Sequence, residues 1–229
     1  MSEDMVSLSP VRTIGVVASS ALLLAGGAWF VRAVWDLRLA GAGVPAGGVP
    51  DEGGGRHRPL TSLENGYHLV TSAGAALSFV CAVVFLMWLG RVRDNARLLS
   101  GQAPRYGGIW VVVGWVIPLG NLWIPRRIVG DAFRDSAPER RLPWVVNVWW
   151  GFWLVGLVSG AGLMGSDSTD ELIARAYDDV WPLVLSDLAL VAAAVAGAFV
   201  VRAVTRAQAG PKEEGDEGDE GIVPAGSHV

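Results

Sequence analysis

Long apolar stretches alternate with short polar segments along the whole chain. Four of the stretches carry enough apolar residues to cross a hydrocarbon core of about 30 Å as helices. The segments between them contain Gly, Pro and charged residues, which are typical of loops. The pattern predicts an all-α integral membrane protein with four transmembrane helices at about residues 14–35, 67–90, 144–164 and 182–204.

A fifth apolar stretch, here called the broken segment (residues 108–125), is different. A helix from Gly108 to Ile117 rises only about 15 Å, which is half of the hydrocarbon core. Pro118 then removes a backbone donor, and Pro-Leu-Gly-Asn is typical of a turn. Beyond it, Pro125 near the start of an amphipathic stretch predicts a new helix. Two paths fit this pattern, a re-entrant hairpin and a kinked fifth span.

The positive charges favour the re-entrant path. Re-entry leaves thirteen Lys and Arg on the side of both termini and five on the other side, whereas crossing gives twelve and six. The totals differ little, but crossing would place one of the two dense arginine clusters beside the broken segment outside the cell. Because cytoplasmic loops are enriched in Lys and Arg, we expect a multi-pass protein of the plasma membrane with both termini in the cytoplasm.

Composition agrees with a membrane location. The chain is 52% hydrophobic and 17% charged, against about 25% charged residues in soluble domains. The net charge of −4 comes largely from the acidic, Gly-rich segment 209–229, which we expect to be disordered. The predicted organisation is a cytoplasmic N-terminus (1–13), a membrane domain (14–208) and this tail. Arg outnumbers Lys 17 to 1, which is typical of GC-rich genomes such as those of actinobacteria.

Four polar residues in or near the spans bear on function. Asp187 lies five residues past Pro182 inside the last span. An acidic residue inside a span predicts a functional site, unless its side chain reaches water near the end of the span. Arg32 and Asp36 are four residues apart at the end of the first span and are predicted to pair. Asn147 is expected to face a partner helix or the membrane interface.

Motifs for catalysis and metal binding are missing from the sequence. It has no HExxH motif, no intramembrane pair of carboxylates and no Ser/His or Cys/His arrangement. The single cysteine, Cys81, forms no intrachain disulfide, and three scattered histidines do not make a metal site. We therefore expect no enzymatic activity, no cofactor and no metal, and the lack of a basic soluble domain argues against nucleic-acid binding.

Four short patterns resemble a known family. They are Phe85-Leu-x-Trp-Leu-x-Arg91-x-Arg93-x-Asn95-Ala96, Gly114-Trp-x-Ile-Pro118-x-x-Asn121-Leu-x-x-Pro125-x-Arg127, the pair Trp149-Trp150, and a closing Val-Arg-x-x-x-Arg-x-Gln. Together they resemble the DUF4328 domain over roughly residues 65–208. The resemblance implies a multi-span membrane protein of actinobacterial type, and it implies no activity and no catalytic residue.

Two functions follow from these observations. The first is a non-enzymatic membrane domain that binds a partner protein, a lipid or a small ligand at its cytoplasmic face, where arginines including Arg97, Arg126 and Arg134 meet anionic headgroups or an acidic partner. Setting the topology is the simpler role for these arginines. The alternative is a small homo-oligomeric transporter or channel that uses the broken backbone of 109–125. The candidate functional or packing residues are Arg91, Arg93, Asn95, Trp115, Pro118, Asn121, Pro125, Arg127, Asn147, Trp150 and Asp187.

Overall fold

The structure, a computed structural model, describes residues 9–50, 58–117, 119–161 and 168–209. Within these ranges every regular element is helical, which confirms the all-α prediction for the part of the chain described. A short 3-10 turn, Gly120–Leu122, joins the third and fourth α-helices. The α-helices are α1 Arg12–Ala42, α2 Ser62–Ser100, α3 Trp110–Val116, α4 Ile124–Ser136, α5 Val145–Ala161, α6 Thr169–Asp178 and α7 Trp181–Gln208.

Three of these helices, α1, α2 and α7, are long and apolar enough to cross a membrane. The shorter α5 is apolar as well, but its 17 residues rise only about 26 Å. The span predicted at 144–164 extends past α5 into residues outside the described ranges. The fold is therefore that of a membrane protein with three long candidate spans, and the fourth span stays a prediction.

Helix α7 lies at the centre of the bundle. It packs along α1 on one side and along α5 on the other, while α2 packs along α1 and touches α7. Small residues permit these close approaches: a Cβ atom at Gly26 would come within 2.8 Å of Ala194, and one at Gly156 within 2.9 Å of Leu190. In the most apolar part of each span, 61% of α7 is buried, against 33% of α1 and 17% of α2. The central helix is thus the one held by protein rather than by lipid.

Polar side chains tie the helix ends together at one end of the bundle, here called the Asn95 end. The Asn95 amide donates to the backbone oxygen of Ser9 at 2.9 Å and accepts from the Ser9 nitrogen at 3.0 Å. Gln208 at the end of α7 donates to the backbone oxygen of Val92 at 2.7 Å and to the Ser136 hydroxyl at 2.9 Å. The start of α1 and the ends of α2, α4 and α7 therefore meet here.

The opposite end, here called the Glu64 end, is closed by a second polar group. A capping box with Thr61 starts α2, and Glu64 accepts hydrogen bonds from Arg58 and from the Tyr177 hydroxyl of α6. Burial and the bond to Glu64 raise the pKa of Tyr177 to about 12, so this hydroxyl stays a neutral donor. The loop before α2 and helix α6 are thus fastened to one buried carboxylate.

Both ends of the broken segment return to the Asn95 end. Helix α2 finishes there. Helix α5 starts on the same side because it runs antiparallel to α7, with Trp149 opposite Gly197 and Gly156 opposite Leu190. Helices α3 and α4 fold back on each other so closely that a Cβ atom at Gly114 would lie 2.7 Å from Ile124. This geometry supports the re-entrant path, whose position in a membrane stays a prediction.

Candidate functional site

A cavity of about 620 Å³ lies inside the bundle, between α1, α2, α5 and α7. Trp115 and Asn121 of the broken segment line it towards the Asn95 end, and Arg32 lines it towards the Glu64 end. Between them the wall is formed mainly by apolar side chains, with the hydroxyl groups of Ser78 and Ser186 as exceptions. Its volume is within the range of about 300–1,000 Å³ usual for sites that bind small molecules.

A cluster of aromatic rings forms the part of the wall beneath the broken segment. Trp115 of α3 lies with its ring centroid 5.7 Å from that of Phe85 and 5.6 Å from that of Trp153. The rings of Trp149 and Trp150 are 6.3 and 6.5 Å away. Because such pairs attract by about 0.5–1.5 kcal/mol each beyond their burial, Trp115 anchors the seven-residue helix α3 between α2 and α5.

Three hydrogen-bonding groups of wall residues have no partner among the described residues. They are the indole N–H groups of Trp115 and Trp153 and the side-chain oxygen of Asn121. A buried polar group that lacks a partner costs about 1–3 kcal/mol. The wall therefore carries two donors and one acceptor that its own side chains do not satisfy.

At the other end of the cavity, Arg32 forms a buried ion pair with Asp187. The guanidinium Nε donates to one carboxylate oxygen at 2.9 Å, and a terminal nitrogen donates to the other oxygen. Arg32 is 8% exposed and Asp187 is fully buried. The Arg32 guanidinium also lies 4.3 Å from the ring centroid of Trp29, whose indole donates to Ser78 at 3.1 Å. Asp187 thus meets a charge from another helix and does not reach water.

This geometry corrects the expected Arg32–Asp36 pair. Arg32 and Asp36 do lie one helical turn apart in α1, but the hydrogen bonds of Arg32 go to Asp187 of α7. Both residues of α1 are buried. Packing of α1 along α7 decides the partner, because it brings a bidentate carboxylate opposite the guanidinium.

The candidate residues predicted from sequence fall into three groups: at the cavity, in the packing of the Asn95 end, and at the surface of that end. Trp115 and Asn121 line the cavity, Trp150 packs against Trp115, and Asp187 holds a wall residue in place. Asn95 and Pro125 are buried in the packing of the Asn95 end, where Pro125 occupies the first turn of α4. Pro118 lies outside the described residues.

The remaining candidates are at the surface of the Asn95 end. Arg91 and Arg127 are exposed, as are Arg97 and Arg134. Arg93 donates to the backbone oxygen of Tyr106 at 2.9 Å and holds the loop after α2. Asn147 is exposed and accepts hydrogen bonds from Arg126.

The position of Asn147 bears on the transporter alternative, in which Asn121, Asn147 and Asp187 would line one path. Its side chain lies on the outer surface, whereas Asn121 lines the cavity and Asp187 is enclosed by protein. Asn121, Asn147 and Asp187 therefore do not lie along one route in the part of the chain that the structure describes.

Sequence reasoning missed Arg32 as a site residue and missed the cavity. A signal for Arg32 was present, because α1 and α7 each carry a charge of opposite sign within or beside an apolar run. No comparable signal marks the cavity, since its wall consists mainly of ordinary Leu, Ala and Trp residues contributed by six helices and by Asn121 of the 3-10 turn.

Comparisons with known proteins give one match. The model of a family described as "Domain of unknown function (DUF4328)" matches residues 65–206. This range takes in the broken segment and every helix after α1 except the beginning of α2 and the last residues of α7. Neither the curated proteins nor the solved structures gave a match to the chain.

Proposed function

Because the chain belongs to the DUF4328 family, whose description assigns no function, we propose one from the geometry: it is a non-enzymatic membrane domain that holds a lipid-like molecule in its cavity. The observation that carries the proposal is the cavity of about 620 Å³ beneath the broken segment. Its wall is apolar apart from a few side chains near its two ends. Such a site favours a molecule with an apolar body and one polar group.

The polar groups near the two ends fit the two parts of such a molecule differently. Arg32 presents a guanidinium in the wall, where a phosphate, carboxylate or hydroxyl group of the ligand can accept from it. At the other end, Trp115 and Trp153 line the cavity, and their indole N–H groups and the Asn121 oxygen are buried within the wall. We therefore place the polar group of the ligand at Arg32 and its apolar body among the tryptophan rings.

A route of entry is available from the side of the bundle. Helices α2 and α5 stand apart over most of their length and meet where the rings of Phe85 and Trp149 lie 6.0 Å apart. The outward face of α2 is uncovered and apolar, with Leu69 and Phe79 each 71% exposed. A molecule dissolved in the bilayer would reach the cavity between α2 and α5 without crossing water.

We also propose that the surface of the Asn95 end faces the cytoplasm of the plasma membrane. Arg91, Arg97, Arg127 and Arg134 are exposed there. Each positive side chain near an anionic leaflet contributes about 1 kcal/mol of attraction. These arginines orient the domain and hold the broken segment against the headgroups.

Native mass spectrometry of the protein purified from membranes tests the proposal. Ala82→Trp fills the cavity from the open side of α2, and Ala76→Trp places the same side chain on α2 outside the cavity wall. We expect a bound lipid-like molecule in the wild type and in Ala76→Trp, and at least threefold less of it in Ala82→Trp. Equal amounts in both variants, or no bound molecule in the wild type, would refute the proposal.

The single cysteine gives a second readout of the same site. Cys81 lines the cavity and is 7% exposed. A membrane-permeant maleimide should alkylate Cys81 more slowly when the molecule identified by mass spectrometry is added back. An alkylation rate that does not change would mean that the molecule binds elsewhere.

A further inference from the structure

Four ionisable side chains from three helices meet at the Glu64 end of the bundle, beside the cavity. Arg32 and Asp36 come from α1, Tyr67 from α2 and Asp187 from α7. Asp36, Tyr67 and Asp187 are fully buried. The neighbouring part of α6 contributes apolar Leu172 and Ile173, so these four are the ionisable groups that the described helices bring together here.

The charges of this cluster do not balance. One guanidinium faces two carboxyl groups, and its hydrogen bonds go to Asp187. Both oxygens of Asp36 and the hydroxyl of Tyr67 have no hydrogen-bond partner among the described residues, although Asp36 lies beside both Tyr67 and Asp187. An ionised Asp36 would be a second negative charge that is fully buried beside a guanidinium already bonded to Asp187, which is strongly unfavourable.

We propose that Asp36 is a proton-binding site. With one proton on its carboxyl group, the cluster of Arg32, Asp187 and Asp36 is neutral, and the new O–H group can donate to Asp187 or to the Tyr67 hydroxyl oxygen. A metal cation fits less well. Hard cations require six or more oxygen ligands in most protein sites, whereas Asp36 and Tyr67 supply three oxygens.

The proton has a consequence for the cavity. When Asp36 loses it, two carboxylates compete for Arg32, and the net charge of the cluster beside the cavity wall changes from zero to −1. Proton binding at Asp36 and the polarity of that end of the cavity are therefore linked. The proton site itself does not depend on the proposed ligand, because it follows from groups that are buried with the cavity empty or filled.

Infrared difference spectroscopy between H₂O and D₂O tests the proton directly, since a protonated carboxyl group has a carbonyl band that a carboxylate lacks. We expect this band at pH 7 in the wild type, its loss in Asp36→Asn, and its retention in Asp94→Asn, a control at an exposed site on α2. Absence of the band in the wild type, or its retention in Asp36→Asn, would overturn the proposal.

Thermal unfolding against pH is the second measurement. Because the folded protein holds a proton that the unfolded chain releases near pH 4, wild-type stability should fall as the pH rises from about 4 through neutrality. Asp36→Asn should unfold within about 3 °C of the wild type at pH 7 and should lack this component of the fall. A large destabilisation of Asp36→Asn at pH 7 would show that Arg32 needs an ionised Asp36, and the proposal would fail. Stabilisation by Na⁺ over K⁺ that disappears in Asp36→Asn would assign the site to a metal cation and would also overturn it.

Discussion

Replacing Trp115 with alanine should release the broken segment from the bundle. The Trp115 ring contacts those of Phe85, Trp149, Trp150 and Trp153 at centroid distances between 5.6 and 6.5 Å. Four pairs at about 0.5–1.5 kcal/mol sum to roughly 2–6 kcal/mol, but pairs that share one ring are not additive. Trp→Ala changes in packed cores cost about 3–5 kcal/mol. Since Trp115 is only partly buried, we expect a loss of about 3 kcal/mol.

Reversible unfolding in mixed micelles, followed by circular dichroism, measures this loss. Trp123→Ala is the matched control, because Trp123 belongs to the same segment and is 46% exposed. It should cost at most about 0.5 kcal/mol, as surface substitutions do. Trp115→Phe should fall between the two, since one ring is kept. If Trp115→Ala cost no more than Trp123→Ala, the aromatic cluster would not be what holds the segment.

Three further predictions concern the packing and the path of the chain. Gly156→Val should lower the free energy of unfolding by about 1–3 kcal/mol, because the valine side chain would enter the contact between α5 and α7. Gly151→Val in the same helix meets open space and should cost less than about 1 kcal/mol, so equal losses in the two variants would contradict the packing. Asn95→Ala removes both bonds to the segment before α1 and should speed proteolysis of that segment at an overall cost of about 1–3 kcal/mol; an unchanged cleavage rate would show that other contacts hold it. Gln102→Cys and Arg140→Cys, each in a chain without the native cysteine, should react with an impermeant reagent from the cytoplasmic side only, and reaction from opposite sides would exclude re-entry.

Hydrophobic periodicity predicts the helices well because burial in lipid and burial in protein select the same apolar residues. The long helices contain the predicted spans at 14–35, 67–90 and 182–204, and each extends beyond them. The extra turns mix charged and polar residues with apolar ones, and the capping box at Thr61 and Glu64 holds the first of them in α2. A hydropathy pattern alone does not predict these turns.

The partner of Arg32 shows where sequence reasoning stops. Spacing along one helix points to Asp36, since residues four apart share a face. The observed partner, Asp187, is 155 residues away and becomes a neighbour only when α1 packs against α7. The spacing along α1 identifies a carboxylate within reach of Arg32. It does not identify the carboxylate that Arg32 binds with both oxygens, because that geometry depends on how α1 packs against α7.

The arginines near the broken segment show a second limit. Their density directed attention to that region, yet Arg91 and Arg127 face outward while Trp115 and Asn121 of the same region line the cavity. Charge at a membrane surface sets orientation whether or not a site lies beneath it. The pattern therefore directs attention to the segment without identifying which of its side chains face inward.

The central position of α7 sets an order on how this protein is made. Chains emerge from the ribosome with their N-terminal parts first, and α7 follows every helix that it holds together. Until it enters the bilayer, Arg32 has no counterion on another helix, Gly156 has no Leu190 to pack against, and Asn95 has no Gln208 beside it. Before α7 is inserted, the earlier helices lack these contacts and are exposed to membrane proteases and insertion chaperones. Insertion of α7 then completes the bundle in a single late step.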